Sequence, residues 1–450
     1  MSKISKIKDY IENNAILKRI MNGIIMGVGG AVISKVLLTL FNIILARVLT
    51  VEAYGAYSLI NNTVQTFTIF AGAGIGVTLT RYVALYREKD NKLAGVLIGT
   101  LLLINVLTSM LISILVFIFA DKIALMLNSK IQIENLIRIT AFTIFFTAIV
   151  SILQGTLQGF ESYRQIAKTQ IISNLFNIIL GILMAKLFGI IGSIYSLLIL
   201  QLIMLIFMVY DLFKNMKKYE IYIKVKMNST IKEAITKVMI PSFFATIFIL
   251  PVMWITNFYF SSNIGLEEFA VFSVCLQWFN IINYIPQQLG QLKPIYTQLY
   301  NDKKYTEMRR YNNKIIIITI LFTIGCTILL FFAKGIILKS YGEYYEQYTK
   351  AFTIMIISTI LFAIQSQYGS VFQAIGKSWL CFALNLIWSA SYIVAFFLLY
   401  HIGVVGYAYT YLISYLIYAV VSSIAFYIVI NRKELKVSEE NINITTNMDK

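Results

Sequence analysis

Charge is scarce in this chain: Asp, Glu, Lys and Arg make up 13% of its 450 residues, about half of the ~25% usual in soluble domains. Proline occurs four times, cysteine three times and histidine once, as His401. So little charge beside 58% hydrophobic residues and a mean hydropathy of +0.76 leaves too little polar surface to cover a water-soluble fold. A cytosolic enzyme and a disordered chain are excluded. The cysteine count excludes a disulfide scaffold, and the four prolines a collagen-like fibre. Cys275, Cys326 and Cys381 lie far apart inside apolar runs, with neither disulfide nor metal-ligand spacing, and read as small packing residues. What remains is a polytopic membrane protein.

The net charge of +17 does not point to nucleic acid, because the basic residues sit in short clusters between apolar runs, where they act as topology signals. The first 19 residues form a basic amphipathic stretch, and the apolar run after them is too long for a signal sequence and reads as a retained span. With roughly 20 apolar residues per span, twelve are predicted: 23–48, 57–80, 93–119, 136–158, 166–187, 190–212, 238–260, 268–292, 314–333, 351–375, 379–400 and 404–430. With both termini on one side, that side receives 29 of the 38 lysines and arginines and the other 7. The positive-inside rule then makes both ends cytoplasmic, and every outer loop is short.

A repeat is visible at an offset of about 215. Glu52–Leu59 aligns with Glu267–Val274, and Leu157-Gln158-Gly159 with Phe372-Gln373-Ala374; Gly189, Gly192 and Tyr195 meet Gly403, Gly406 and Tyr409 at 214. Six spans per half give both halves the same orientation, a parallel repeat about the membrane normal. The expected organisation is an amphipathic N-terminus (1–22), a first lobe (23–213), a solvated linker with seven lysines and an amphipathic portion (214–237), a second lobe (238–430) and a tail (431–450).

Ionisable groups at membrane depth cost about 2.5–3.5 kcal/mol each on insertion scales. Lys35 lies near the middle of the first span, with Thr39 and Asn42 following on the same helical face. It reads as a cation facing a cavity, or as a lysine capping a backbone carbonyl between helices. Adding 215 carries Asn42 to Asn257, Asn62 to Gln277 and Gln65 to Asn280, and the eighth-span stripe continues through Tyr284 and Gln287. Four helices thus offer polar groups, for which the simplest arrangement is a hydrated cavity between two lobes; for any single amide, interhelical hydrogen bonding is the alternative. Arg47, Arg81, Arg138 and Lys293 lie near span ends, where snorkelling competes with a site role. Glycines 72, 74 and 76 before Arg81 permit close packing or a bend. No Asp or Glu is placed centrally in a span, which fits an anionic ligand better than a cationic drug.

The stretch Leu45-Ala46-Arg47-Val48-Leu49-Thr50-Val51-Glu52-Ala53-Tyr54-Gly55-Ala56-Tyr57 resembles the segment after the first span of polysaccharide-export flippases. Gly74–Ala84, Leu157-Gln158-Gly159-Phe160 and Gly189-Ile190-Ile191-Gly192-Ser193 are similar to later segments of the same family. The chain is identified as a member of the Wzx-type oligosaccharide flippases, in the multidrug/oligosaccharidyl-lipid/polysaccharide exporter superfamily. The resemblance implies an all-α, MATE-like fold of 12 spans in two six-helix lobes in the bacterial cytoplasmic membrane. It implies a non-enzymatic transporter that moves an undecaprenyl-diphosphate-linked oligosaccharide from the inner to the outer leaflet, for O-antigen, capsule or a similar polymer. Lys35, Arg47, Arg81, Arg138 and Lys293 would meet the diphosphate, and Asn42, Asn62, Gln65, Asn257, Gln277, Asn280 and Gln287 the sugars. No cofactor or metal is implied; the partners are membrane lipids, a polysaccharide polymerase and other assembly proteins, and no nucleic acid. Some family members carry an acid before the glycines of the second span, where this chain has Ala71-Gly72-Ala73. The alternatives are a multidrug or small-solute exporter, which calls for a cavity carboxylate, and a membrane-embedded glycan polymerase, which calls for a sizeable outer catalytic loop.

Overall fold

The computed structural model describes residues 15–72, 74–125, 134–244, 249–289 and 293–448, with backbone alone at 15–28, 250, 293, 294, 378 and 431–448. Among these, every regular element is helical. Two compact units divide the chain, Met1–Phe243 and Phe244–Lys450. The first holds α1 (Ala15–Val48), α2 (Val51–Gly72), α3 (Ile75–Tyr86), α4 (Asn91–Ile118), α5 (Glu134–Gly159), α6 (Tyr163–Phe176), α7 (Ile182–Lys218) and α8 (Ser229–Ala234). The second holds α9 (Ile249–Asn263), α10 (Leu266–Leu289), α11 (Lys293–Asn301), α12 (Tyr305–Tyr341), α13 (Thr349–Ala374), α14 (Ser378–Leu399) and α15 (Val404–Met448).

Among the described residues nine helical runs are long and apolar enough to cross a membrane, and α2 with α3, bent by 50°, makes a tenth. One of the nine, Tyr163–Lys218, contains 56 residues. Straight, it would run about 84 Å, nearly three times the ~30 Å hydrocarbon core. Non-helical dihedrals at Gly189 (φ 60°, ψ −138°) break it into the expected fifth and sixth spans. The expected seventh span, 238–260, passes through residues 245–248, which lie outside the described residues; Ile240–Phe244 and α9 flank them.

Each unit is built the same way. In the first, α5 packs against α2, α3, α4 and α7, while α1 lies on α6; in the second, α13 packs against α10, α12 and α15, while α9 lies on α14. Even the turns after the two central helices correspond. Glu161 (φ 59°) and Gly376 (φ 74°) take the left-handed conformation, and Ser162 N–H donates to the Leu157 carbonyl (2.9 Å) as Lys377 N–H does to that of Phe372 (2.8 Å). The glycines before Arg81 provide both a bend and a close approach. Gly74, at φ +75°, opens α3, and a Cβ on Gly155 of α5 would stand 2.6 Å from the Gly76 carbonyl oxygen.

The segment 214–237, expected as a solvated linker with an amphipathic portion, packs its apolar positions into the first unit's core and leaves the rest exposed. Ile221, Ile231 and Ala234, with Val238 just beyond, are buried in one apolar cluster with residues of α3, α4, α5 and α7. Each buried isoleucine contributes about 1.5–3 kcal/mol relative to exposure, and the lysines cover only the outward side. At the same end Arg87, 6% exposed, reaches across the loops: its guanidinium donates to the Gly159 carbonyl (2.8 Å) and to Glu161 Oε1 (2.5 Å) and lies 5.7 Å from the Tyr219 ring centroid. Arg87→Ala should lower stability by roughly 2–4 kcal/mol, a range reduced because Glu161 is partly solvated. A thermal melt of the purified protein checks this; an unchanged midpoint would show that the cluster does not hold α3, α5 and α7 together.

Candidate functional site

Helix α1 presents the central cation. Its neighbour in sequence, Ser34, is buried and takes a hydrogen bond from Asn174 Nδ2 of α6 (2.7 Å), which fixes how α1 is rotated about its axis. Lys35 and Asn42 are then half-buried, while Thr39 is buried and donates its hydroxyl to the Lys35 carbonyl (2.8 Å). Arg47, in the last turn of α1, is exposed. On α2, Asn62 is half-buried with Nδ2 on the Ser58 carbonyl (3.1 Å), and Gln65 is exposed. Arg81 of α3 is exposed, 6.0 Å from the Tyr82 ring centroid. It also helps to hold the Glu233 carboxyl of α8 below its usual range, chiefly an effect of the hydrogen bond from Lys237.

The remaining expected site residues separate. Arg138 does not stand open: it pairs with Asp121 and Glu134, each at 2.9 Å. Asn257 is not on an open face either. It is 3% exposed, and its Oδ1 accepts from the Tyr407 hydroxyl, which in turn meets Tyr392. Gln277 accepts from the Tyr341 hydroxyl (3.3 Å) inside the same unit. All three were expected at the ligand; carboxylates engage Arg138 and a buried hydroxyl engages Asn257, while Gln277 keeps a buried Nε2 with no protein partner. Asn280 and Gln287 of α10 are exposed. The side chain of Lys293 lies outside the described residues.

The repeat reveals one feature that polar stripes did not. Asn177, at the start of a π-helical turn (Asn177–Gly181) after α6, is 4% exposed, and neither its Oδ1 nor its Nδ2 has a protein partner. It borders a cavity of about 10 Å³ with Gly181, Met184 and Ser196, room for roughly one water molecule. Offset by 215, Asn177 corresponds to Tyr392, and offset by 214, Ser193 corresponds to Tyr407. In the second unit those tyrosines fill the interior, with the Phe272 and Tyr407 rings stacked at 4.0 Å. In the first, small residues leave a hole beside an amide. Asn174, Asn177 and Gly181, at steps of three and four, were the available signal.

A family model described as polysaccharide biosynthesis protein matches residues 20–250, and one described as MatE matches 241–401. The chain belongs to the polysaccharide biosynthesis protein family. Similar curated proteins are the EPS I polysaccharide export inner membrane proteins EpsE of Ralstonia nicotianae, 23% identical over 84% of this chain and 86% of that protein, and of Ralstonia solanacearum, 21% identical over the same shares. Among solved structures, the inward-facing conformation of a multidrug resistance MATE family transporter of the MOP superfamily superposes with a TM-score of 0.73 at 16% identity, over 89% of this chain and 95% of that one. A MOP superfamily transporter from Pyrococcus furiosus, described as having a binding pocket of reverse polarity, gives 0.69 at 16% identity over 92% and 96%. This polysaccharide biosynthesis protein therefore has the all-helical, MATE-like fold, with helices long and apolar enough to cross a membrane in each of its two units.

Proposed function

We propose that the protein is a flippase that moves polyprenyl-diphosphate-linked oligosaccharide from the inner to the outer leaflet by alternating access, with both termini cytoplasmic. The observation that carries this reading is the half-buried Lys35 in the middle of α1, the first span of a chain whose family serves polysaccharide biosynthesis. A cation kept there at a cost of about 2.5–3.5 kcal/mol suits a diphosphate. Arg47 and Arg81 would meet the headgroup at the span ends, and Asn42, Asn62 and Gln65 the first sugars. Solved relatives of the fold in inward-facing and outward-facing conformations support alternation between leaflets. An inside-negative potential favours outward movement of an anion by about 2.3 kcal/mol per charge per 100 mV, so no carboxylate is needed as counter-charge.

Leaflet-selective labelling of lipid-linked oligosaccharide in a deletion strain tests the reading. Completed repeat units should accumulate on the inner leaflet and reach the outer one when the gene is restored. Units that reach the outer face without the protein, unpolymerised, would favour an enzyme of polymer assembly. Unchanged glycan with altered drug sensitivity would favour a multidrug exporter.

A further inference from the structure

The stretch between α7 and α8 is extended backbone laid along a transmembrane helix. Ile221 N–H closes onto the Met216 carbonyl (2.9 Å) behind the left-handed Glu220, which turns the chain back against α4. Asn91 Nδ2 holds the Glu220 carbonyl (3.2 Å), and Lys226 N–H donates to Thr100 Oγ1 (3.1 Å). Gly95 and Gly99 make room: a Cβ on either would stand 2.0 Å from the Tyr222 oxygen or 2.5 Å from the Lys224 oxygen. The segment therefore climbs α4 from Asn91 to Thr100, about 13 Å at helical rise.

Helix α4 is 28 residues long, about 42 Å, so roughly 6 Å extends beyond a ~30 Å core at each end. The level of Gly95 is then the boundary between headgroups and hydrocarbon. Further along, α4 exposes Leu103, Leu107, Met110, Leu111 and Ile114, the surface of a lipid-facing helix. From this boundary, beside Gly95, to about 7 Å within, beside Thr100, the segment exposes Tyr222 (74%), Ile223, Val225 and Met227. From Ile221 to Lys232 it carries Lys224, Lys226 and Lys232 and no acid; all three lysines are exposed, while helix α8 turns its apolar side inward. Open apolar side chains alternating with lysines at this depth complement a surface that is apolar within and anionic at its rim.

We propose that residues 222–227 form a binding surface for anionic phospholipid, with Tyr222, Ile223 and Val225 in the acyl boundary and Lys224 and Lys226, anchored just within it beside Gly99 and Thr100, extending along their apolar stems back to phosphate headgroups. The surface is separate from Lys35 and does not depend on what is transported. The test uses the full chain with Tyr222→Trp, reconstituted in phosphatidylcholine vesicles carrying a minor fraction of either brominated phosphatidylglycerol or brominated phosphatidylcholine. The readout is the quenching that this tryptophan adds to that of the four native ones. Brominated phosphatidylglycerol should quench at roughly a tenth of the fraction needed for the zwitterionic lipid or less, given about a fivefold preference per lysine. Lys224→Gln with Lys226→Gln should remove the preference, as should high salt with the lysines intact. Equal quenching by both lipids in the parent at low salt would overturn the charge recognition, and no added quenching by either would overturn the placement in the membrane.

Discussion

Lys35→Ala should give a folded protein that supports no surface polysaccharide. Truncating one partner of a desolvated charge pair costs about 2–5 kcal/mol, so binding or translocation should fall at least thirtyfold. The fold should not suffer. The hydrogen bond from Thr39 ends on the Lys35 backbone carbonyl, which alanine keeps, and removing an ammonium from membrane depth relieves an insertion cost of about 2.5–3.5 kcal/mol. A thermal midpoint equal to or above that of the parent, together with lipid-linked units trapped inside, is the expected combination. Lys35→Arg retains the charge and should keep part of the transport; Lys35→Met, which keeps most of the length, should behave like alanine. Normal polymer from Lys35→Ala would remove the cation from the mechanism. A lowered midpoint with lost export would instead assign Lys35 to capping between helices.

Hydropathy made most of the helices legible before any coordinates, because a span announces itself by the length of its apolar run. The failures share a cause: periodicity tells which residues occupy one face of a helix but not what that face meets. Asn42 and Asn257 occupy equivalent positions in the repeat, yet one is half-buried on α1 and the other is closed in by Tyr407. Arg138 was half legible, since Glu134 stands four residues before it on α5, whereas Asp121 comes from the preceding segment. In the segment 214–237 the seven lysines and an amphipathic portion were legible; which apolar residues are buried, Ile221 and Ile231 with Val238 just beyond, was not, because their burial needed the glycine groove of α4 and the cluster around α5.

The repeat itself yields the other large effect, because its two hairpins rest on the same pair of glycines. Gly189 (φ 60°, ψ −138°) and Gly403 (φ 72°, ψ −151°) reverse the chain between the last two spans of each unit, in a region open essentially to glycine alone. Three residues on, a Cβ at Gly192 would stand 2.0 Å from the Met184 carbonyl oxygen, and one at Gly406 would stand 1.8 Å from that of Leu399. Backbone meets backbone at both points, so no side-chain rotation relieves the overlap. Gly192→Ala and Gly406→Ala should therefore each open a hairpin and leave little folded protein in the membrane. Gly189→Ala, with nothing within 4 Å of the new atom, meets only the dihedral strain, about 1–3 kcal/mol, and should survive at reduced stability. Gly403→Ala should be worse than Gly189→Ala, because its Cβ would also displace the Glu268 carboxylate that accepts the Val404 N–H. Membrane abundance and the midpoint of detergent-extracted protein read this ranking. Full stability of Gly192→Ala and Gly406→Ala alike would mean that the hairpins do not need the close approach, and the correspondence between the two halves would lose its structural basis there.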